Sequence, residues 1–135
     1  MKIDLILTED GSHTLYRRDL DEHYHSIHGA IQESMHVYIN PCLKEISKAV
    51  IRVFELGFGT GLNTMLSLIE AEKMNKSLVY HSIEKYPLPP EIINQLNYPD
   101  LLPPGYRELF YKIHNEKWDE VLHFRNMELT KIHAD

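Results

Sequence analysis

The stretch from Val53 to Asn63, VFELGFGTGLN, sets glycines at positions 57, 59 and 61, between an apolar run, IRVFEL, and a helix-forming run, LNTMLSLIEAEKM. A strand that ends in such a loop and passes directly into a helix turns backbone N–H groups and a helix N-terminus toward a ligand. Glycine permits the sharp turns and the close approach that this needs. The rest of the chain extends the same architecture. LVYHSIEKY reads as a second strand, and PLPPEIINQL as a helix with Pro90 near its first turn, where a missing N–H is harmless. NYPDLLPPGY is a proline-rich loop and RELFYKIHN a helix. VLHFRNMELTKIHAD is a turn around Arg125-Asn126 followed by a third strand. The alternation predicts an α/β fold with three parallel strands joined by right-handed crossovers, a Rossmann-like unit. Parallel sheets are normally wider and covered on both faces, so this is expected to be the first half of such a sheet.

Ahead of it, KIDLILTEDGSHTLYRR predicts two short strands around Asp10-Gly11, a strong hairpin signal. DLDEHYHSIHGAIQESMHVYINPCLKEISKAV predicts a helix capped by Asp19 or Asp21, with Ile27, Ile31, Met35 and Tyr38 at spacings of three and four. Asn40-Pro41 is expected to interrupt it, because the residue before proline is pushed out of the helical region. The expected division is an N-terminal hairpin and helical extension over residues 1–48 and the partial Rossmann-like domain over 49–135.

At 135 residues the chain has room for one core. The formal net charge of -6 argues against an obvious electrostatic grip on nucleic acid. A lone cysteine, Cys42, fits a reducing compartment. No apolar run approaches the ~20 residues of a membrane helix, and the start lacks a secretory signal pattern, so a soluble cytoplasmic protein is expected.

Which ligand the loop holds turns on the pattern. A dinucleotide site asks for G-x-G-x-x-G/A. Read from Gly57, the third position is Leu62; read from Gly59, it is Thr64. The pattern is instead acid-x-G-x-G-x-G, with Glu55 as the acid, which is the pattern of S-adenosylmethionine-dependent methyltransferases. A carboxylate favours a cationic amino-acid tail or sulfonium and repels a pyrophosphate. Glu84 ends the second strand about twenty residues beyond the loop, where an acid can accept hydrogen bonds from ribose hydroxyls. Asp135 is read as ending the third strand, where an acid could meet an adenine amino group.

Three stretches together, DGSHTLYRRDLDEHYHSIHGAIQES, FELGFGTGLN and IEKYPL, resemble the methyltransferase domain of the MnmC/MnmD family over nearly the whole chain. Phe58 and Asn63 around the glycines, the EKYPL run, and Tyr24, Ser26, Gly29 and Glu33 in a Y-x-S-x-x-G-x-x-E pattern carry the resemblance. It implies the first half of a class I methyltransferase sheet and methyl transfer from S-adenosylmethionine to the aminomethyl nitrogen of 5-aminomethyl-2-thiouridine at the tRNA wobble position. The cofactor-binding set it implies is Glu55, Gly57, Phe58, Gly59, Gly61, Asn63, Glu84 and Asp135. Tyr24, Ser26 and Glu33 would face the substrate side. The family's Asp-Ala-Phe-Ala-Pro-like motif beside the transferring methyl does not occur here, so no catalytic residue is assigned. The chain reads as truncated after the third strand, and its open sheet edge is expected to pair with a second copy. Two other classes stay open: an NAD- or FAD-linked oxidoreductase unit on the same fold, and a non-catalytic remnant acting as an interaction module.

Several side-chain groups carry weaker signals. His25 and His28, with Glu22 or His36, could in principle ligate a metal, but spacing alone rarely supplies the geometry, so no metal is expected. Cys42 is expected to be a buried structural thiol. Tyr106, Phe110, Tyr111 and Trp118 could stack on bases, but aromatics at helical spacing more often build a core.

Overall fold

The computed structural model describes residues 2–135. Among the described residues there are two sheets. The first is a three-stranded antiparallel sheet of β1 (Ile3–Leu7), β2 (His13–Arg17) and β3 (Glu22–His23). The hairpin turns at Asp10-Gly11 as expected, with Leu5 opposite Leu15 and Gly11 at φ 86°. Asp10 organises the turn. Its carboxylate accepts from the Ser12 N–H at 2.9 Å, from the Ser12 and Thr8 hydroxyls, and from the Gln32 N–H at 3.0 Å.

The long helix expected after the hairpin is mostly not formed. Residues 22–23 add a strand to the hairpin, and helix α1 runs only over Ala30–Ser34, continuing as a π-helical turn over Met35–Ile39. The physical reason is that this segment's backbone is engaged elsewhere. Asp21 is left-handed at φ 51°, which breaks a helix. The Thr14 hydroxyl both donates to the His25 carbonyl at 3.0 Å and accepts from its N–H at 2.8 Å, holding the chain in an extended path. Neither Asp19 nor Asp21 is a helix cap; Asp19 pairs with Arg17 and Asp21 with the Tyr16 hydroxyl. The helical run does end at Asn40-Pro41, but Asn40 keeps helical angles at φ −67°, ψ −49° and is not pushed out of that region as expected; a short 3-10 turn, Leu43–Glu45, follows. Cys42 is exposed, contrary to the expected buried thiol, because Leu43 beside it takes the inward position.

The second sheet holds β4 (Val50–Leu56), β5 (Ser77–Glu84), β6 (Val121–Phe124) and β7 (Met127–His133) in the order β4-β5-β7-β6. β4, β5 and β7 are parallel, with Val53 beside Tyr80 and Tyr80 beside Leu129. These are the three parallel strands expected. The fourth is an addition: residues 121–124 fold back antiparallel on β7 across the Arg125-Asn126 turn. Arg125 sits at φ 55° to make that turn.

Helix α2 (Leu62–Lys73) joins β4 to β5 and packs on β5 and on the α1 segment. It is buried on several sides, with Leu62, Met65, Leu68 and Ala71 all inaccessible. Three further helices connect β5 to β6: α3 (Pro90–Ile93), with its proline in the first turn, α4 (Tyr98–Leu101) and α5 (Arg107–Asn115). The proline-rich stretch thus contains a helical turn. Phe110 is fully buried, and Tyr106, Tyr111 and Trp118 pack against the core, as the spacing predicted.

The two sheets are joined through one apolar core and a polar clasp. The Asn97 amide oxygen accepts from the His13 N–H at 2.9 Å, its amide group donates to the Gly11 carbonyl at 2.8 Å, and its backbone N–H donates to His13 Nδ1 at 3.1 Å. Burial holds the His13 imidazole below the usual histidine range, which keeps Nδ1 free to accept.

Candidate cofactor site at the glycine loop

β4 ends at Leu56, and the loop begins under restraint from its neighbour strand. The Ile83 carbonyl at the end of β5 accepts from the Gly57 N–H at 2.7 Å and from the Phe58 N–H at 3.3 Å. Gly57, Gly59 and Gly61 all have positive φ, at 94°, 54° and 76°. At Gly59 a side chain would also be tight, because a Cβ would lie 3.2 Å from the Tyr24 ring and the ring would have to give way slightly. Gly61 is the N-cap of α2 and supplies no side chain to the first turn, so that turn's N–H groups stay open. This is the anion- and dipole-accepting end of the helix.

Two carboxylates flank the loop. Glu55 points inward from β4, and its Oε1 accepts from the buried Ser82 hydroxyl at 2.7 Å. Burial pushes its carboxyl above the usual carboxylate range, while hydrogen bonding, from Ser82 first, pulls the other way; Glu84 adds to the rise. Glu84, the last residue of β5, bends back over the loop. Its Oε2 accepts from the Gly59 N–H and its Oε1 from the Tyr86 N–H, both at 3.3 Å.

Beside the loop lies a cavity of about 280 Å³ lined by Tyr24, Glu33, Glu55, Gly57, Gly59 and Asn63, among others. A second hollow of about 200 Å³ adjoins it across Glu55 and Asn63, walled by Tyr38, Phe54 and Tyr80. A groove of about 300 Å³ along α1 meets it at Glu33 and includes Ser26, Gln32 and His36. Together they reach the ~300–1,000 Å³ of ordinary ligand sites. Asn63 Oδ1 is buried without a hydrogen-bond partner.

The structure therefore gathers Glu55, Gly57, Gly59, Gly61, Asn63 and Glu84 around one loop, with Tyr24 and Glu33 on the facing wall. Ser26 lines the neighbouring groove, where its hydroxyl accepts from the His28 N–H at 3.1 Å. Phe58 turns away into the core and meets Trp118 edge-on with ring centres 5.8 Å apart. Asp135 stands apart, two residues beyond β7, in an exposed ion pair with Lys85 at 3.1 Å. His25, which sequence reasoning weighed only as a metal candidate less favoured than a surface or substrate-facing position, lines the cavity with Nδ1 3.4 Å from Glu33 Oε1. Among the described residues no group of three or more His, Cys, Asp or Glu side chains could hold a metal ion. Nor does any helix among them have the length and apolarity to cross a membrane.

The chain's similarity to known proteins agrees with this geometry. No protein-family model matches it. It is 36% identical over 74 residues to the tRNA 5-methylaminomethyl-2-thiouridine biosynthesis bifunctional protein MnmC of Campylobacter fetus, a region covering 54% of this chain and 12% of that protein. The solved structure of MnmC2 from Aquifex aeolicus superposes with a TM-score of 0.78 at 27% identity, over 99% of this chain and 43% of that one. This is an MnmC-like domain. The MnmC-like domain spans less than half the length of either relative. The fold match extends through the N-terminal hairpin as well as the glycine loop, so the two sheets go together in both proteins.

Proposed function

We propose that this MnmC-like domain binds S-adenosylmethionine and serves a cytoplasmic methyltransferase acting on the wobble uridine of tRNA. The observation that carries the reading is Glu55, a half-buried carboxylate beside the open N-terminus of α2 with no cationic side chain against it. A cationic amino-acid tail satisfies such a group, whereas the pyrophosphate of a dinucleotide would be repelled. When bound, S-adenosylmethionine supplies the methyl group for an amine acceptor such as the aminomethyl group of 5-aminomethyl-2-thiouridine.

The chain's own residues bind and orient. Gly57, Gly59 and Gly61 shape the turn that brings a ligand to the open N–H groups of the first turn of α2. Glu55 and the unpartnered Asn63 Oδ1 receive the amino-acid tail. Glu84, which here accepts from Gly59 and Tyr86 N–H groups, exchanges into hydrogen bonds with ribose hydroxyls. Phe58 braces the loop from behind, and Asp135 is placed to meet an adenine amino group once its ion pair with Lys85 opens. Residues 49–135 hold the cofactor. Residues 1–48 furnish the substrate side through Tyr24, Ser26 and Glu33, which enclose the amine and exclude water. The exposed apolar side chains of β4 favour pairing of that edge with a second copy.

Calorimetric titration with S-adenosylhomocysteine, with NADH alongside, tests this. Binding of the first alone is expected. Glu84→Ala should remove most of that affinity, since hydrogen bonds to a charged group contribute ~1.5–3 kcal/mol each. Binding of NADH in its place would assign the loop to an oxidoreductase. Silence from both ligands would leave an interaction module.

A further inference from the structure

Beneath the glycine loop lies a group that no local pattern announces. His114, near the end of α5, reaches the loop from more than fifty positions downstream. Its Nε2 lies 2.8 Å from the Thr60 carbonyl, so Nε2–H donates to it. The same nitrogen occupies the space a side chain at Gly61 would need, 2.9 Å from the position of a Cβ. The ring packs edge-on against Phe58 and Phe110, with centres 5.2 and 4.9 Å away. Thr60 itself is buried.

α5 is pinned in turn by Lys131 on β7. This side chain is fully buried, and its ammonium donates to the His114 carbonyl at 3.3 Å and the Glu116 carbonyl at 2.8 Å. It lies over the Trp118 ring at 4.8 Å and the Phe58 ring at 5.8 Å. A cation at the last carbonyls of a helix complements its dipole and replaces missing intrahelical partners. The path runs unbroken from strand β7 through the end of α5 to the carbonyl that precedes Gly61.

We propose that His114 is a positioning residue for the glycine loop: by holding the Thr60 carbonyl it fixes the turn at Gly61 and hence the direction of the open N–H groups at the start of α2. The proposal rests on the cofactor reading for its consequence, but not for its geometry. Rotation of the Thr60–Gly61 peptide is what the hydrogen bond prevents, and that rotation would swing the Gly61 N–H off the Phe58 carbonyl it meets at 2.9 Å.

The test compares His114→Leu, which fills the space without a donor, with His114→Gln, which keeps an N–H donor. Two readouts are taken. In amide hydrogen exchange of the full chain, His114→Leu should accelerate exchange over residues 57–63 while β5 and β7 stay protected. His114→Gln should restore protection. In calorimetry, His114→Leu should bind S-adenosylhomocysteine at least about tenfold more weakly, the size of one buried hydrogen bond, with the glutamine variant close to the parent. Unchanged loop exchange in His114→Leu overturns the proposal whatever the ligand does. So does an equal loss in both variants, which marks a packing role alone. A parent chain that binds no S-adenosylhomocysteine overturns the cofactor reading, and the exchange result then judges His114 by itself.

Discussion

At Gly61 one added methyl group meets His114 Nε2 at 2.9 Å and Phe58 Cζ at 3.2 Å, in a backbone that already has φ 76°. Gly11 has φ 86°, yet a Cβ there meets nothing within 4 Å. The pair separates two effects. Gly11→Ala should lower stability by the backbone term alone, about 1–2 kcal/mol for a left-handed L-residue. Gly61→Ala should lower it further, because the neighbours are ring atoms of a packed core rather than the ends of flexible chains. Equal melting temperatures for the two variants would remove the steric part of the argument. His114 also sets a pH dependence. Burial first, then the charge of Lys131, holds its imidazole down at about 4, against the Thr60 hydrogen bond that raises it. The unfolded imidazole takes its proton near 6.5. Acidification through that window therefore favours the unfolded chain. The contribution is complete above the unfolded value and declines toward pH 4, by an amount on the order of 3 kcal/mol. His25, also lowered by burial, acts in the same direction, and Glu55, raised by burial, acts in the opposite one. The difference between parent and His114→Gln isolates the one group: chemical denaturation should show the variant losing less stability than the parent between pH 6.5 and 4. Parallel curves would contradict a buried neutral imidazole.

Elements whose partners lie close in sequence were legible, and those held by distant partners were not. β4, β5, β7, α2 and α5 each carry their own apolar period, so the strands and helices read from the sequence fall on Val50–Leu56, Leu62–Lys73, Ser77–Glu84, Arg107–Asn115 and Met127–His133. The glycine loop and its two glutamates were legible for the same reason, since loop geometry places them beside one another. Helical spacing begins at Ile27, and the expected helix reached back over residues 19–26, where the left-handed Asp21 and the hydrogen bonds between Thr14 and His25 impose another path, and Thr14 lies outside that segment. β6 was missed because a four-residue strand paired only to β7 has too short a pattern to register. His114 sits in a correctly read helix, yet its contact with Thr60 exists only once β7 and α5 are assembled. The hairpin shows how such tertiary ties can be measured. Asp10 links the turn to α1 through Ser12 and Gln32. Burial alone would raise its carboxyl, but hydrogen bonds from Ser12, Gln32 and Thr8 outweigh this and hold it below the usual range. Asp10→Ala should destabilise the chain by about 2 kcal/mol, as expected for several charge-assisted bonds of which part are solvated. It should also expose the Gln32 amide to exchange. A variant that melts with the parent would show the hairpin held by the Asn97 clasp alone.

Over the whole molecule the two edges of the larger sheet are unequal. β6 closes one edge with a short antiparallel strand, but β4 has a neighbour on one side only. Its outward side chains are apolar: Leu56 is 81% exposed, Phe54 61% and Val50 41%. Natural sheets protect a free edge with charge, proline or a covering element, because an unprotected one is a template for another strand. Here the outward row of β4 carries a single charge, Arg52, and the strand has no proline. The same MnmC-like fold occurs in an Aquifex chain more than half of which has no counterpart in this one. A sheet that is half of a wider parallel arrangement leaves its central strand as its edge, which is why apolar side chains of β4 stand exposed. Self-association along β4 should follow. Sedimentation equilibrium should give a mass that rises with concentration above the 15.9 kDa of one chain. Val50→Lys should return it to one chain, because its charge would be forced into the pairing surface beside that of Arg52. The substitution lies at the start of β4, away from the glycine loop and its cavities, so binding of S-adenosylhomocysteine should survive it. A mass that stays at one chain over a hundredfold range of concentration would mean that the twist of β4 and Arg52 suffice to protect the edge. Loss of ligand binding together with the self-association would mean that the second copy helps form the site.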